Sequence, residues 1–397
     1  MMKKKTLKDV DVKGKKVLVR VDFNVPVDDE GNVTDTTRIE AAMPTINYLI
    51  GEEAKVILMA HFGRPGGEVK EELRLDPVAE ELANKLGKAV IKTDDTVGDD
   101  AKKAIDQIKD GDVVLLENTR FNLGEKGYPE EKDFAKQLAD LADIYVNDAF
   151  GACHRAHAST AGVTEYIDQA VAGFLVQNEL ETMKGAVENP EKPYVAIIGG
   201  SKISDKMGTI KSLLEKADEI LIGGGMANTF IMALGHETGD SLVEEDKVDD
   251  AKELMEAAKE AGVDLVLPED VTVADDFAPD AEYKVVDIDG IESGWQALDI
   301  GPKTIEKYGD ILKDAKTVTW NGPLGVFEMD AFAKGTNKIG QVLADLKDAT
   351  TIIGGGDSAA AIKKAGLENK VTHISTGGGA SLRVIEGKPL PAVEALK

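Results

Sequence analysis

Apolar and polar positions alternate along the chain in two rhythms. Short β-branched runs, KVLVRVDF (16–23), AKVILMAHF (54–62), VVLLEN (113–118) and IYVNDAF (144–150), are separated by helix-period stretches near 36–50, 76–87 and 129–142. The second half repeats the pattern with VAIIGG (195–200), EILIGGG (219–225), DLVLPED (264–270), TVTWNG (317–322), TIIGGG (351–356) and VTHISTGGG (371–379). Continuous apolar strands alternating with helices predict parallel sheets covered on both faces. The expected fold is therefore α/β, with two doubly wound parallel-sheet (Rossmann-like) domains. GFLVQNELETMKGAVEN reads as one amphipathic helix stopped by Pro190, the expected hinge helix between them. The expected division is 1–172, the helix at 173–189, 190–376, and a C-terminal segment at 377–397 that closes on the proline-bearing KPLPAVEALK.

Composition supports two cores. A chain of 397 residues with 42% apolar content exceeds one ordinary domain. The single cysteine excludes an internal disulfide, no stretch approaches the ~20 apolar residues of a membrane span, and MMKKKTLKDV lacks the apolar run of a signal peptide. A soluble, cytoplasmic protein is expected. The net charge of −26 disfavours nucleic acid or an anionic membrane as partner. No heptad or apolar docking stripe stands out, so a monomer is expected.

Charge becomes informative through its arginines. Of 47 basic residues only seven are arginine, at 20, 38, 64, 74, 120, 155 and 383. Arginine's rigid fork grips carboxylate and phosphate in two places, and ligands of open parallel sheets bind beyond the carboxyl ends of the strands. Those ends in the first half carry Arg20, Asp22 and Asn24 (RVDFN), His61 and Arg64 (HFGRP), Arg120 (ENTRF), and His154, Arg155 and His157 (FGACHRAH), while Arg38 opens the next helix. Five of the seven arginines are expected on one face, as a site for a small polyanion.

In the second half the same positions carry glycine: GGSK (199–202), GGGM (223–226), NGPLG (321–325), GGGDS (354–358) and STGGGAS (375–381). Glycine admits close backbone approach, and amides at a helix N-terminus favour phosphate. With Lys202, Lys206 and Asp357 among them, these loops predict a nucleotide phosphate site with a magnesium ligand. Neither GxxxxGK[ST] nor GxGxxG is present, nor the HRD and DFG pair of protein kinases. GACHRAH leaves three readings from its residues alone: a Cys/His zinc site, an activated thiol, or an anion cradle.

The stretches VLVRVDFNVP, HFGRP, LENTRF, NDAFGACHRAH, IIGGSKISDK, IGGGMANTF, WNGPLGVFE, GGGDSAAA and HISTGGGASL, in this order, resemble the motifs of the phosphoglycerate kinase family along nearly the whole chain. The resemblance implies reversible transfer of the acyl phosphate of 1,3-bisphosphoglycerate to ADP, giving 3-phosphoglycerate and ATP. It implies that the N-terminal domain holds the phosphoglycerate through Asp22, Asn24, Arg38, His61, Arg64, Arg120 and Arg155. The C-terminal domain would hold ADP or ATP through Gly200, Lys202, Asp205, Lys206, Gly224, Gly225, Asn321, Pro323, Glu328 on the ribose, and Gly354, Gly355, Gly356, Asp357 and Ser358, with Asp357 carrying Mg2+. Arg38, Lys202, Gly378 and Gly379 would face the transferring group, with Gly377 opening the same helix, and the tail from 377 would return to the N-terminal domain. Domain closure is implied, because two ligands on separate domains must meet.

The family commonly has Ala at Cys153, which turns GACHRAH toward the anion cradle and away from thiol or zinc chemistry. Phe62, Ser201 and Ser358 stand where the family usually has Leu, Ala and Thr; none removes a charge. The competing reading is a non-catalytic nucleotide-binding regulator, which would be expected to lack Arg38 or Lys202; both are present.

Overall fold

Strands β1 (Lys16–Arg20), β2 (Lys55–Met59), β3 (Val90–Lys92), β4 (Val113–Leu115), β5 (Ile144–Asn147) and β6 (Gln169–Ala172) form one six-stranded sheet. Its order is β3-β4-β2-β1-β5-β6, and every pair is parallel. The structure is a computed structural model and describes residues 4–397. β1, β2, β4 and β5 are buried along almost their whole length, which is why they read as unbroken apolar runs. Val17, Val56, Val113 and Ile144 lie side by side across the sheet, and Ile39, Ile46 and Leu49 of the helix Thr37–Gly51 pack on the same core. The strand order reverses at β1, where sheets of this kind open a crevice at their carboxyl ends.

The second sheet runs β15-β14-β13-β7-β8-β9, also parallel throughout. It contains β7 (Tyr194–Ile198), β8 (Glu219–Ile222), β9 (Asp264–Val266), β13 (Thr317–Asn321), β14 (Thr350–Gly354) and β15 (His373–Ile374). Trp320, fully buried, centres its core with Ile197, Tyr308, Ile339 and Ile353. A separate antiparallel sheet, β11-β10-β12, joins β10 (Asp270–Ala274), β11 (Tyr283–Asp287) and β12 (Gln296–Ile300).

The parallel architecture follows the sequence rhythm, with three departures. DLVLPED is not one strand: β9 stops at Val266, and β10 starts after Pro268, which has no backbone N–H for a ladder. The helix expected at 129–142 is reduced to Asp133–Ala139, preceded by a single turn at Gly124–Gly127 and by Pro129. β3, β6 and the antiparallel sheet have no counterpart among the sequence runs; β3 and β11 are too short or too exposed to show one.

The chain forms two compact units, one running to Glu181 and including Pro389–Lys397, the other Thr182–Lys388. The helix Phe174–Glu188 is continuous and passes from the first unit into the second. Its first turn is tied down where Leu175 N donates to Asp148 Oδ1 at 2.9 Å and Phe174 N donates to Thr45 Oγ1 at 3.0 Å. The segment from 377 divides: the helix Gly378–Ile385 belongs with the second unit, and only the last nine residues join the first. There Lys397 N donates to the Ala170 carbonyl at 2.9 Å and Ala392 N to that of Cys153 at 3.2 Å. No helix of the described residues is long and apolar enough to cross a membrane.

Candidate functional site

In the first unit the loops leaving β1, β2, β4 and β5 bring their polar side chains together. Arg38, in the first turn of the helix Thr37–Gly51, donates from Nη1 to Asp22 Oδ1 at 3.2 Å and to the Asn24 carbonyl at 3.0 Å. Asn24 Oδ1 accepts from Gly63 N at 2.8 Å, and Arg120 Nη1 donates to the Gly63 carbonyl at 2.6 Å. Those bonds tie three strand-end loops to one another. Arg64 and Arg155 are exposed, and Arg155 Nε lies 2.9 Å from His154 Nε2. The Nε of Arg120 is buried and, among the described residues, has no hydrogen-bond partner.

Crowding of positive charge shows in the acid–base behaviour. Burial holds Arg120 below the usual arginine range, assisted by Arg155, Arg20 and Arg64. Burial, then Arg120, Arg20 and Arg155, bring His157 down to about 4. His61 is pushed well below the usual range by burial, then by Arg20, Arg120, Arg38 and His157. A group of cations that depress one another's protonation is a site in which an anion is stabilised. Arg20 is a correction to the sequence reading: at 1% exposure it lies inside the protein, leaving Arg38, Arg64, Arg120 and Arg155 for a ligand.

Cys153 is fully buried, its thiol donating to the Ala149 carbonyl at 3.4 Å. Burial raises its pKa far above the ordinary thiol value, the opposite of an activated nucleophile. Among the described residues no group of three or more His, Cys, Asp or Glu side chains is arranged to hold a metal ion.

The second unit builds its strand-end surface from backbone. Gly200 N donates to the Pro323 carbonyl and Gly224 N to that of Leu324, each at 3.0 Å, locking together the loops after β7, β8 and β13. At Gly322 the backbone has φ +91, and a Cβ would sit 2.1 Å from the Gly199 carbonyl oxygen, so only glycine fits. Gly355, with φ +100, turns the chain into the helix Gly356–Lys364.

Two adjoining cavities result. One of about 490 Å3 is lined by Gly200, Gly224, Gly225, Pro323, Glu328 and Asp357, with an apolar wall of Leu242, Phe277, Leu298 and Val326. The other, about 230 Å3, is lined by Lys206, Asn321, Gly355, Gly356, Asp357, Ser358, Gly378 and Gly379. Asp357 borders both. The smaller cavity lies where two helices begin, Gly356–Lys364 and Gly378–Ile385, whose free amides suit phosphate.

Several expected ligand groups also bond within the protein. Ser358 Oγ accepts from Gly322 N at 2.7 Å, and Asn321 donates from Nδ2 to the Gly354 carbonyl at 3.0 Å while its Oδ1 accepts from Lys206. Burial lowers the Lys206 pKa, against the pull of Asp205, Asp357 and Glu386. Lys202 and Asp205 are exposed and line neither cavity. The apolar wall went unread in the sequence, because Leu242 and Phe277, 50% and 58% exposed, sit in loops without periodicity.

Beside this cluster of arginines on one sheet and these glycine-lined cavities on the other stands a family match: the model described as phosphoglycerate kinase matches residues 7–388. The chain belongs to the phosphoglycerate kinase family. It is 56% identical over 400 residues to the phosphoglycerate kinase of Prochlorococcus marinus, covering 100% of this chain and 99% of that one. To the enzyme of Synechococcus sp. (strain CC9311) it is 58% identical over 388 residues, covering 97% and 96%. Among solved structures, the phosphoglycerate kinase of Coxiella burnetii superposes with a TM-score of 0.88 at 41% identity, covering 99% of this chain and 98% of that one. That of Pyrococcus horikoshii does so with the same TM-score at 34% identity and the same coverage. The protein is a phosphotransferase: it moves the acyl phosphate of 1,3-bisphosphoglycerate reversibly to ADP, giving 3-phosphoglycerate and ATP in glycolysis and gluconeogenesis. These likenesses give no support to the regulatory reading.

Proposed function

We propose that the first unit holds the phosphoglycerate through Asn24, His61, Arg64, Arg120 and Arg155, that the second holds ADP or ATP in its two cavities, and that Arg38 balances charge on the phosphoryl group in flight. The observation that carries this division is the contrast in equipment at two like sheet edges: mutually repelling guanidinium groups on one, glycine-lined cavities on the other.

The attacking oxygen in either direction is already anionic, so no general base is needed. Catalysis then consists of alignment and charge neutralisation. Asp22 and Asn24 engage only Nη1 of Arg38, an arrangement that orients the fork and leaves its other N–H groups for phosphoryl oxygens. Asn321 aims Lys206 into the smaller cavity, toward nucleotide phosphates. Glu328 on the larger cavity suits the ribose hydroxyls, with the apolar wall against the base. Gly378 and Gly379 contribute helix-terminal amides to the transferring group, and Lys202 and Asp205, exposed here, would complete the site from the loop after β7.

Asp357 fits a magnesium site. Mg2+ is held by one or two carboxylates together with substrate phosphates, and Asp357 is a carboxylate on the border of both cavities. When bound, the ion would neutralise phosphate charge. A monomeric, cytoplasmic enzyme is part of the same proposal, resting on the acidic surface and the absence of an apolar docking stripe in the sequence.

Transfer requires the two ligands to meet, so bending along Phe174–Glu188, which passes between the units, belongs to the proposal. X-ray scattering should show smaller dimensions when both substrates are present, and unchanged dimensions would count against it. The magnesium requirement and the Asp357 assignment are tested by ATP formation from ADP, Mg2+ and 1,3-bisphosphoglycerate generated in place. Activity abolished by a chelator and restored by Mg2+ supports them; activity indifferent to chelation, or untouched in an Asp357→Ala variant, removes Asp357 from the site.

A further inference from the structure

Arg20 ends β1, is 1% exposed, and has no part in the mechanism above. Each of its three guanidinium nitrogens is engaged inside the first unit. Nε donates to Ser159 Oγ at 2.8 Å, Nη1 donates to the Val21 carbonyl, and Nη2 lies 2.9 Å from His61 Nδ1. Ser159 and Glu125 are both fully buried beyond it. Ser159 Oγ sits 2.6 Å from Glu125 Oε1, and Ser159 N donates to Oε2 at 3.0 Å.

The proton positions in this chain follow from what each group can do. A guanidinium has donors only and keeps its charge at any pH a protein meets. The Ser159 oxygen therefore accepts from Arg20, and its own proton goes to Glu125. At the other end Nδ1 of His61 must offer its lone pair to Nη2, which leaves the ring's proton on Nε2. An imidazolium would set an N–H against the N–H of Arg20 at hydrogen-bond distance, charge against charge. The conclusion for His61 holds whichever protonation state Glu125 takes.

We infer that the buried chain Glu125–Ser159–Arg20 is a positioning device that holds His61 neutral, with its proton on Nε2, so that the histidine meets a bound anion as a fixed hydrogen-bond donor. The part concerning the anion rests on the proposal that the first unit holds the phosphoglycerate. The remaining surroundings act the same way: besides Arg20, His61 is faced by Arg120, Arg38 and His157, all of which disfavour a second proton on the ring. On that proposal Arg64, Arg120 and Arg155 neutralise the ligand, so a donor that stays neutral adds no pH dependence of its own to the site's affinity. This separates Arg20 from the arginines that touch substrate, and Glu125 and Ser159 become parts of the site that no strand-end motif announces.

The test is a long-range 1H–15N correlation spectrum of the ligand-free, 15N-labelled full chain, recorded from about pH 5.5 to 8, the range in which histidine ordinarily titrates. The protein has five histidines, and His61→Gln identifies the signal. The expected result is the Nε2–H pattern throughout; an Nδ1–H pattern, or titration within the range, overturns the inference. Arg20→Gln should let His61 titrate and add to KM for 3-phosphoglycerate a pH dependence beyond the one that the substrate's own phosphate, with its second pKa of about 6, gives the wild type. That KM should rise by roughly tenfold, the worth of one hydrogen bond to a charged group, with KM for the nucleotide unchanged. Ser159→Ala is the milder variant should Arg20→Gln not fold, and is expected to mobilise the ring in part. A His61 spectrum identical to wild type in a folded Arg20→Gln protein removes Arg20 from the role. Because the spectra need no substrate, they stand even if 3-phosphoglycerate proves to bind elsewhere, which would show as an absence of any response to it.

Discussion

The two units share a scaffold and differ in what they place on it. Each is a six-stranded parallel sheet that presents the carboxyl ends of its strands, yet the first furnishes that edge with arginine side chains and the second with glycine backbone. On the proposed division, the difference tracks the ligand. A small, densely charged triose needs cations that converge from several loops, and arginine reaches across such distances while binding two oxygens at once. A nucleotide needs volume and an apolar wall for its base, and its phosphates can be met by amides at helix ends. The first solution rests chiefly on side-chain charge, the second chiefly on backbone shape.

Substitutions that strike one solution and spare the other sharpen the contrast. Arg38→Ala should have the largest effect, a loss of at least roughly 10³-fold in turnover with ADP binding intact, read by a coupled assay and calorimetry. Near-normal turnover would remove Arg38 from the transferring group. Gly322→Ala forces a Cβ to within 2.1 Å of the Gly199 carbonyl, and should weaken nucleotide binding by roughly ten- to a hundredfold. Binding of 3-phosphoglycerate should hardly change.

Stability against pH should also separate the units. Burial raises Asp299 in the second unit from 3.8 to about 8, so its contribution is present in acid and is lost as pH rises toward 8. In the first unit Asp148, raised by burial to about 7, acts in the same sense, but His157, lowered to about 4, opposes it: its contribution is present above its ordinary 6.5 and lost as pH falls. Asp299→Asn should flatten the pH dependence of the second unit's melting from about pH 4 to 8 by scanning calorimetry. An unchanged slope would mean that Asp299 stays ionised. The smallest effect is expected at Cys153, which should resist thiol reagents in the folded protein at neutral pH; rapid labelling would contradict its burial.

Legibility followed the same divide. The βα rhythm marked the central strands of both parallel sheets, because buried strands must be apolar throughout, but not β3 and β6, and glycine after a strand marked a close backbone approach at Gly199, Gly224 and Gly322. What it could not show was side-chain direction. Arg20 and Asp22 stand two residues apart in RVDFN, but β1 still holds Arg20 inside the sheet while Asp22 has passed its end and meets Arg38. Asn321 and Ser358 likewise sit at the expected strand ends, yet their side chains bond to the protein itself. Phe277 and Leu242 lie in loops, where an apolar residue carries no period to read. Glu125 was invisible because a lone carboxylate in a single helical turn resembles any surface acid until the fold buries it.

The most direct test of the division is crossed calorimetry on two variants, Arg120→Met and Gly322→Ala, each titrated with 3-phosphoglycerate and with ADP plus Mg2+. The account predicts that Arg120→Met loses affinity for 3-phosphoglycerate alone and Gly322→Ala for the nucleotide alone. Loss of both affinities in either folded variant, or the reverse pairing, would contradict it.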